Sequence, residues 1–223
     1  MYRTKYLGYL VLLLFSLFQI TGQAQANRFG FNAAILYSDW ASEKTIDNTV
    51  AYDAKVGYQV GVYSVKEFAA NWNLSYGLNV ALKGFKMNGQ LIIPGVTLAA
   101  NLINHSVYID VPVAMRYTFG SLGPSGFFVS AGVQFSYLVF NKIEGNVLYN
   151  GVNYYGDPEN NADQLNRFDL SLYPAIGYQF ENGLNFQLFY ERGLVNIIKD
   201  EEDYLGVTKA FNSVIKFQIG LDL

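Results

Sequence analysis

Apolar and polar residues alternate along the segment VYIDVPVAMRYTF, residues 107–119. Every second side chain from Val107 onward is apolar, whereas the positions between them include Asp110, Pro112 and Arg116. A period of two residues is that of a β-strand, whose successive side chains point to opposite faces of the sheet. The segment therefore predicts a strand with one apolar face and one face that carries charge.

The same alternation recurs along the rest of the chain and predicts about eight strands. They lie at 28–37, 56–62, 72–83, 107–119, 127–137, 167–179, 184–191 and 215–223. Short turns at 67–71, 120–126 and 181–183 alternate with long loops at 38–54, 87–105, 141–165 and 196–210. Short periplasmic turns and longer outer loops are typical of outer-membrane β-barrels. We therefore predict an all-β fold, an eight-stranded antiparallel up-and-down transmembrane barrel.

The position of the charged side chains indicates which face of the strands meets lipid. If the charged face were the outer one, each Lys or Arg near the bilayer midplane would cost about 2 to 4 kcal/mol. The apolar face is therefore expected to face lipid and the charged face to line the interior. The predicted interior charges are Arg28, Lys83, Asp110, Arg116, Arg167, Asp169, Glu191, Lys216 and Asp222.

A soluble barrel of the lipocalin type is the alternative, and it would place bulky apolar side chains inside. Here glycine, serine and asparagine share the charged face, which favours a narrow polar interior. Aromatic residues also gather at the strand ends, as expected for two interfacial girdles. The girdle beside the short turns comprises Trp72, Tyr117, Phe119, Phe127, Tyr178 and Phe180, and the one towards the long loops comprises Tyr37, Tyr137, Phe168 and Tyr190.

The first 26 residues have the order of a secretory signal peptide. Arg3 and Lys5 precede an apolar run at about 7–20, which small residues follow. We expect cleavage after Ala26, or after Ala24, and we expect a single barrel domain at 27–223. An uncleaved anchor helix is the alternative, and the short apolar run disfavours it.

Composition narrows the possible functions. The net charge of −3 and the lack of Lys/Arg clusters disfavour nucleic acid as a partner. The chain has no cysteine and a single histidine, His105, so neither a thiolate site nor a histidine-based metal site is expected. We predict no cofactor.

An eight-stranded barrel is just wide enough for side chains to fill it, so interior charges should be paired across strands. We expect Arg28 to pair with Asp222 where the last strand closes on the first. Glu191 should pair with Lys216, and Lys83 with Asp110. Pro112 cannot donate a ladder hydrogen bond, so it predicts a bulge or a local break.

Several segments resemble the PorT-like outer-membrane β-barrel family. They are NWNLSYGLNVALKGF, VYIDVPVAMRYTFG, GFFVSAGVQFSYLV and ENGLNFQLFYERGLVNI, with Asp110, Val111 and Pro112 before Arg116 and Tyr117 as the most specific piece. The resemblance implies an eight-stranded outer-membrane barrel, and one member of that family is similar to parts of a secretion and gliding apparatus.

The predicted strand ends and loops contain the candidate catalytic and binding residues. His105 and Ser106 are adjacent in sequence, and adjacent strand residues point to opposite faces, so a catalytic pair is disfavoured. The loop segment 146–163 is rich in Tyr and Asn, which favours surface contacts through Tyr149, Tyr154 and Tyr155.

The sequence therefore predicts a non-enzymatic barrel with a structural or protein-interaction role and a filled interior. A narrow pore for small solutes is the alternative, and a lipid-modifying enzyme at the rim is a more distant one. The expected partners are outer-membrane lipid, lipopolysaccharide and proteins of the envelope or of a secretion apparatus.

Overall fold

The computed structural model describes residues 27–44, 50–93, 96–120, 125–155, 162–199 and 207–223. The predicted signal peptide at 1–26 lies outside these residues. No helix in the described part is long and apolar enough to cross a membrane. The elements are β1 (Asn27–Lys44), β2 (Val50–Ala69), β3 (Trp72–Lys83), β4 (Phe85–Ile93), β5 (Val96–Thr118), β6 (Gly126–Tyr149), β7 (Val152–Tyr155), a 3-10 helix (Ala162–Gln164), β8 (Phe168–Gln179), β9 (Leu184–Gly193) and β10 (Val207–Asp222).

The strands close into a ring through antiparallel pairing alone. β1 pairs with β2 on one side and with β10 on the other, so the first strand of the chain meets the last. The remaining ring contacts join β2 to β3, β3 to β5, β5 to β6, β6 to β8, β8 to β9 and β9 to β10. This is the eight-stranded up-and-down barrel that the alternation predicts, and the prediction of fold class is confirmed.

β4 is the outward continuation of β3 and adds no new position to the ring. The two strands are separated by Gly84 alone, and both pair with β2 and β5. Gly84 has φ +150, and a Cβ there would lie 2.1 Å from the carbonyl oxygen of Asn104. Ser38 Oγ accepts a hydrogen bond from Gly84 N–H at 3.0 Å and donates to Gly84 O at 2.8 Å. Glycine therefore lets the long strand kink without losing its hydrogen bonds.

The long connections predicted at 87–105 and 141–165 are strand for much of their length. β5 has 23 residues and β6 has 24, whereas crossing a bilayer takes roughly 9 to 11 residues of a tilted strand. The segment 87–105 is the outer part of the β4–β5 hairpin, and β7 pairs with the outer end of β6. Apolar and β-branched residues such as Ile92, Ile93 and Val96 favour continued pairing. The barrel wall therefore rises well beyond the membrane.

The two faces of the wall differ as the charge pattern predicts. On β5, Ile109 and Met115 are 39% and 48% exposed, whereas the residues that follow them, Asp110 and Arg116, are 0% and 3% exposed. An apolar outer wall and a charged, buried interior define a membrane barrel rather than a soluble one.

Aromatic side chains form a contact belt at the end of the barrel that carries the short turns. Trp72 contacts Tyr117 at a centroid distance of 5.0 Å, and Tyr117 contacts Phe119 at 5.1 Å. Around the ring, Tyr178 lies 4.8 Å from both Phe127 and Phe180. At the other end of the wall, Tyr137 and Phe168 are 5.0 Å apart, and Tyr37 and Tyr190 are exposed. These rings lie at the two ends of the wall where interfacial girdles are expected in a barrel of this kind.

Pro112 lies at a break in the ladder and not at a bulge. β3 and β5 pair at Tyr76 with Val113 and again at Asn79 with Asp110, with the same register on both sides of the gap. Since proline has no N–H, the ladder is interrupted beside it without displacing the strands.

Candidate functional site

The outer mouth of the barrel is closed by a buried apolar cluster, called here the outer plug. Its strand residues point inward from the upper wall, and its loop residues come from 162–165 and 197–198. Trp40 and Phe85 are in ring contact at 4.2 Å, and both are nearly inaccessible to solvent. The members are Trp40, Phe85, Met87, Tyr108, Leu138, Ala162, Leu165, Ile197, Ile198 and Ala210.

Backbone hydrogen bonds fix the loop residues of the outer plug in place. Asn166 N donates to Ile197 O at 2.9 Å, and Ile197 N donates to Ala210 O at 2.9 Å. Leu165 and Ile198 form an isolated antiparallel bridge. The predicted loops at 141–165 and 196–210 thus contribute buried residues to the outer plug, which alternation within strands does not predict. The apolar pair Ile197 and Ile198 within a predicted loop was the signal that could have revealed it.

Beneath the outer plug lies a network of four buried charges, called here the central network: Lys83, Asp110, Glu191 and Lys216. Lys83 Nζ lies 2.8 Å from Glu191 Oε1 and 3.1 Å from Asp110 Oδ2. Lys216 Nζ lies 3.3 Å from Glu191 Oε2. All four residues are at most 3% exposed. Lys83 therefore joins two strands of the wall, β5 and β9, through the middle of the barrel.

Neutral polar side chains complete this layer. Lys216 Nζ donates to Gln59 Oε1 at 3.0 Å and to Gln134 Oε1 at 3.4 Å. Asn212 Nδ2 donates to Asp169 Oδ2 at 2.7 Å, and this amide is the nearest partner that the described residues offer Asp169. Asp169 thus lies inside, as expected, but beside an amide and not in an ion pair.

A second group of polar contacts, called here the inner cluster, lies at the periplasmic end of the barrel. Arg28 Nη1 lies 2.6 Å from Asp222 Oδ2 at the seam between β1 and β10. The hydroxyl of Tyr63 donates to the other oxygen of Asp222, and Asn185 Nδ2 donates to Tyr63 at 2.8 Å. Tyr63 is an inward-facing residue of β2 that the sequence analysis did not single out.

Arg116 does not take part in an ion pair, contrary to the prediction. Its guanidinium stacks on the ring of Phe128 at 3.4 Å from the centroid, and Nη2 donates to Gln179 Oε1 at 3.2 Å. Among the described residues no carboxylate lies within salt-bridge distance of it, and its Nε is buried without a partner. Asp110, on the same face of β5, lies higher in the barrel and pairs with Lys83, as predicted.

Arg167 lies outside the interior, which corrects its predicted place there. Its Nη2 is 2.6 Å from Asp163 of the 3-10 helix, and Asp163 is exposed. Arg167 precedes the first residue of β8, so the alternation of the strand does not govern its direction. At this outer rim the hydrogen bond from Arg167 lowers the pKa of the Asp163 carboxyl.

The structure does not bring His105 and Ser106 together as a nucleophile and base. Ser106 Oγ is buried and lies 2.7 Å from both Asn104 Oδ1 and Asn141 Oδ1. His105 Nδ1 instead lies 2.7 Å from the Nζ of Lys55, above the outer girdle. Burial and the neighbouring ammonium of Lys55 lower the pKa of His105. This imidazole therefore serves as a neutral hydrogen-bond acceptor at the outer rim.

The described residues contain no group of three or more His, Asp or Glu side chains placed to hold a metal ion. Most of the interior charges predicted from the sequence instead lie in ion pairs, whereas in the described part of the chain Arg116 and Asp169 do not. From the outside inward, the axis passes through the outer plug, the central network and the inner cluster.

A family model described as an outer membrane protein beta-barrel domain matches residues 23–199. Similar solved structures include Neisserial surface protein A (9% identity, TM-score 0.43, covering 87% of this chain and 97% of that one). Another is the outer membrane protein OprG of Pseudomonas aeruginosa (13% identity, TM-score 0.42, covering 89% of this chain and 97% of that one). A third is Ail, the attachment invasion locus protein of Yersinia pestis (11% identity, TM-score 0.40, covering 90% of this chain and 100% of that one). No curated protein matches the sequence.

We predict that Lys83→Gln lowers the free energy of unfolding by about 3 to 5 kcal/mol, because Asp110 then loses its cation in a buried site. Equilibrium urea unfolding in detergent micelles measures this change. Lys142→Gln is the matched control, since Lys142 pairs with Glu144 at the exposed rim. The double variant Lys83→Met with Asp110→Asn should recover most of the loss, since it leaves neither charge unpaired. Equal stability of Lys83→Gln and the control would show that the network contributes nothing.

Proposed function

Because the chain belongs to the outer membrane protein beta-barrel domain family, whose model matches most of it, we propose that it is a closed barrel with a structural or interaction role. It resides in the outer membrane as an integral barrel. The proposed role is to present the tall outer wall to partners of the envelope while the interior stays sealed.

The observation that carries this proposal is the stacking of three occluding layers along one axis. The outer plug excludes water from the mouth because its side chains are apolar and close-packed. The central network fills the middle with paired charges. The inner cluster and the stacked Arg116 and Phe128 fill the periplasmic end. A solute would have to displace all three layers to pass.

A cavity inside the described part of the barrel is small, which argues against the alternative of a pore. It measures about 40 Å³ and lies among Asn79, Arg116, Gln134 and Lys216. At roughly 10 to 15 Å³ for each water, this space holds about three water molecules. It is a small pocket between two filled layers, which supports a sealed barrel over a narrow transporter.

The outer hairpin β6–β7 is the surface that we propose for protein contact. β7 pairs with β6 alone among the described strands, so its other edge is open to a further strand. Tyr149 and Val152 beside the turn are 43% and 55% exposed. Tyr154 and Tyr155 lie in β7 itself. An open strand edge with aromatic neighbours suits an extended segment of another protein.

We propose a more specific relationship to the PorT-like barrels. It is based on the sequence resemblance of the segments around Asp110, Pro112 and Arg116. It favours proteins of the envelope, such as a secretion apparatus, as the partners at the outer hairpin. Membrane lipid would surround the apolar wall, and lipopolysaccharide would flank the part of the wall above it.

We expect the purified barrel to show no stable conductance in planar bilayers, because no continuous water path crosses the three layers. Single-channel recording measures this directly. An established porin reconstituted in the same bilayers is the positive control. Regular, reproducible current steps from the folded protein would contradict the sealed interior and favour the pore.

A photo-reactive residue placed at Tyr149 should form adducts with specific envelope proteins when intact cells are irradiated. The same residue at Ile176, which is exposed on the apolar wall, is the matched control and should contact lipid alone. Electrophoresis and mass spectrometry of the adducts give the readout. If both positions gave the same protein adducts or none, the proposed contact surface would be wrong.

A further inference from the structure

Arg116 presents an uncompensated positive charge inside the barrel. The residue is 3% exposed, and a guanidinium remains charged at any physiological pH. It carries five N–H donors, yet within the described part of the chain it makes one hydrogen bond, to the neutral amide of Gln179. Its Nε is buried and has no partner. A buried charge without a counter-ion is costly, so this side chain requires an explanation.

The carboxylate that could compensate Arg116 is already engaged. Asp222 is bound by Arg28 at 2.6 Å and also accepts a hydrogen bond from Tyr63. The inner cluster and Arg116 together thus hold two guanidinium groups against one carboxylate. The short turns at this end carry two acids, Glu67 and Glu181, and both are exposed, so neither compensates a buried charge. One positive charge is left over in this part of the interior.

The internal cavity of about 40 Å³ lies directly beside this excess charge. Arg116 and Lys216 both line it, and none of its lining residues is an aspartate or glutamate. Asparagine, glutamine and serine side chains supply further polar groups, and they include Asn79, Gln134 and Ser130. Amide N–H and hydroxyl groups can turn their donors towards an anion. The cavity is therefore donor-rich, positive and closed to large molecules.

We propose that this cavity binds a small monovalent inorganic anion of the size of chloride, held by the guanidinium of Arg116. The anion balances the unpaired charge, and the ring of Phe128, 3.4 Å from the guanidinium, holds its plane in position. An organic anion such as gluconate is too large for about 40 Å³. Water alone would fill the space but would leave the charge without a counter-ion.

The first test compares chloride with gluconate at equal ionic strength, using the folded full-length barrel in detergent. The urea midpoint should be higher in chloride, and the difference should saturate with chloride concentration because it reports a single site. Arg116→Gln should abolish the difference. Arg167→Gln, which removes an arginine paired with Asp163 at the outer rim, should retain it.

The second test does not depend on any variant. Crystals of the wild-type protein soaked in sodium bromide should show an anomalous peak in the cavity beside Arg116. If Arg116→Gln fails to fold, Arg116→Lys is used in its place. This variant keeps the positive charge and should retain part of the chloride effect. Equal midpoints in the two salts, or bromide absent from the cavity, would overturn the proposal and leave a guanidinium solvated by water.

Discussion

Hydrocarbon offers the peptide backbone no hydrogen-bond partner, and this constraint shapes the whole barrel. Every N–H and C=O in the membrane-spanning wall must be paired within the wall, so the ring has to close. It closes where β1 meets β10, with pairing from Gly30 and Asp222 outward. Where Pro112 cannot donate, the ladder is interrupted and the register is kept. The period of two residues then sends apolar side chains to lipid and polar ones to the axis.

Once the polar side chains face the axis, their desolvation decides how the interior is built. A charge that leaves water must be neutralised nearby, and the narrow ring brings opposite walls within side-chain reach. Lys83 illustrates this, because one ammonium contacts carboxylates from β5 and β9. Above that level the wall continues beyond the membrane, and the mouth is closed by a plug that resembles the core of a soluble protein. The barrel thus combines a charged central network with an apolar outer plug.

The sequence carried enough information for the fold but only part of the interior. The faces of residues such as Ile109 and Asp110 follow from alternation within a strand, and the meeting of Arg28 and Asp222 follows from ring closure. Arg167 lies before its strand begins, so alternation misplaced it. Strand tilt and stagger determine which interior side chains lie at the same level along the barrel axis, and a single sequence does not reveal them. For this reason Arg116 has no carboxylate within salt-bridge distance among the described residues. The outer plug was not predicted because its loop residues do not follow the apolar–polar alternation that identifies strands.

The outer hairpins were underestimated for a related reason. The segment 87–105 contains asparagine and glycine, which suggest a loop, yet its backbone pairs along most of its length. Cross-strand hydrogen bonds and apolar neighbours outweigh local preference when a strand is already anchored in the wall. Tall strands also supply the surface that a structural or interaction role requires.

The orientation of the wall is tested most directly by spin-label accessibility along β5. The chain has no cysteine, so single cysteines can be placed at each position from Val107 to Phe119 and labelled with a nitroxide. In liposomes, oxygen should reach the odd-numbered positions, whereas the even-numbered positions should be shielded from both oxygen and a water-soluble relaxant. Oxygen exposure at Asp110 and Arg116, or the lack of any alternation, would contradict the account.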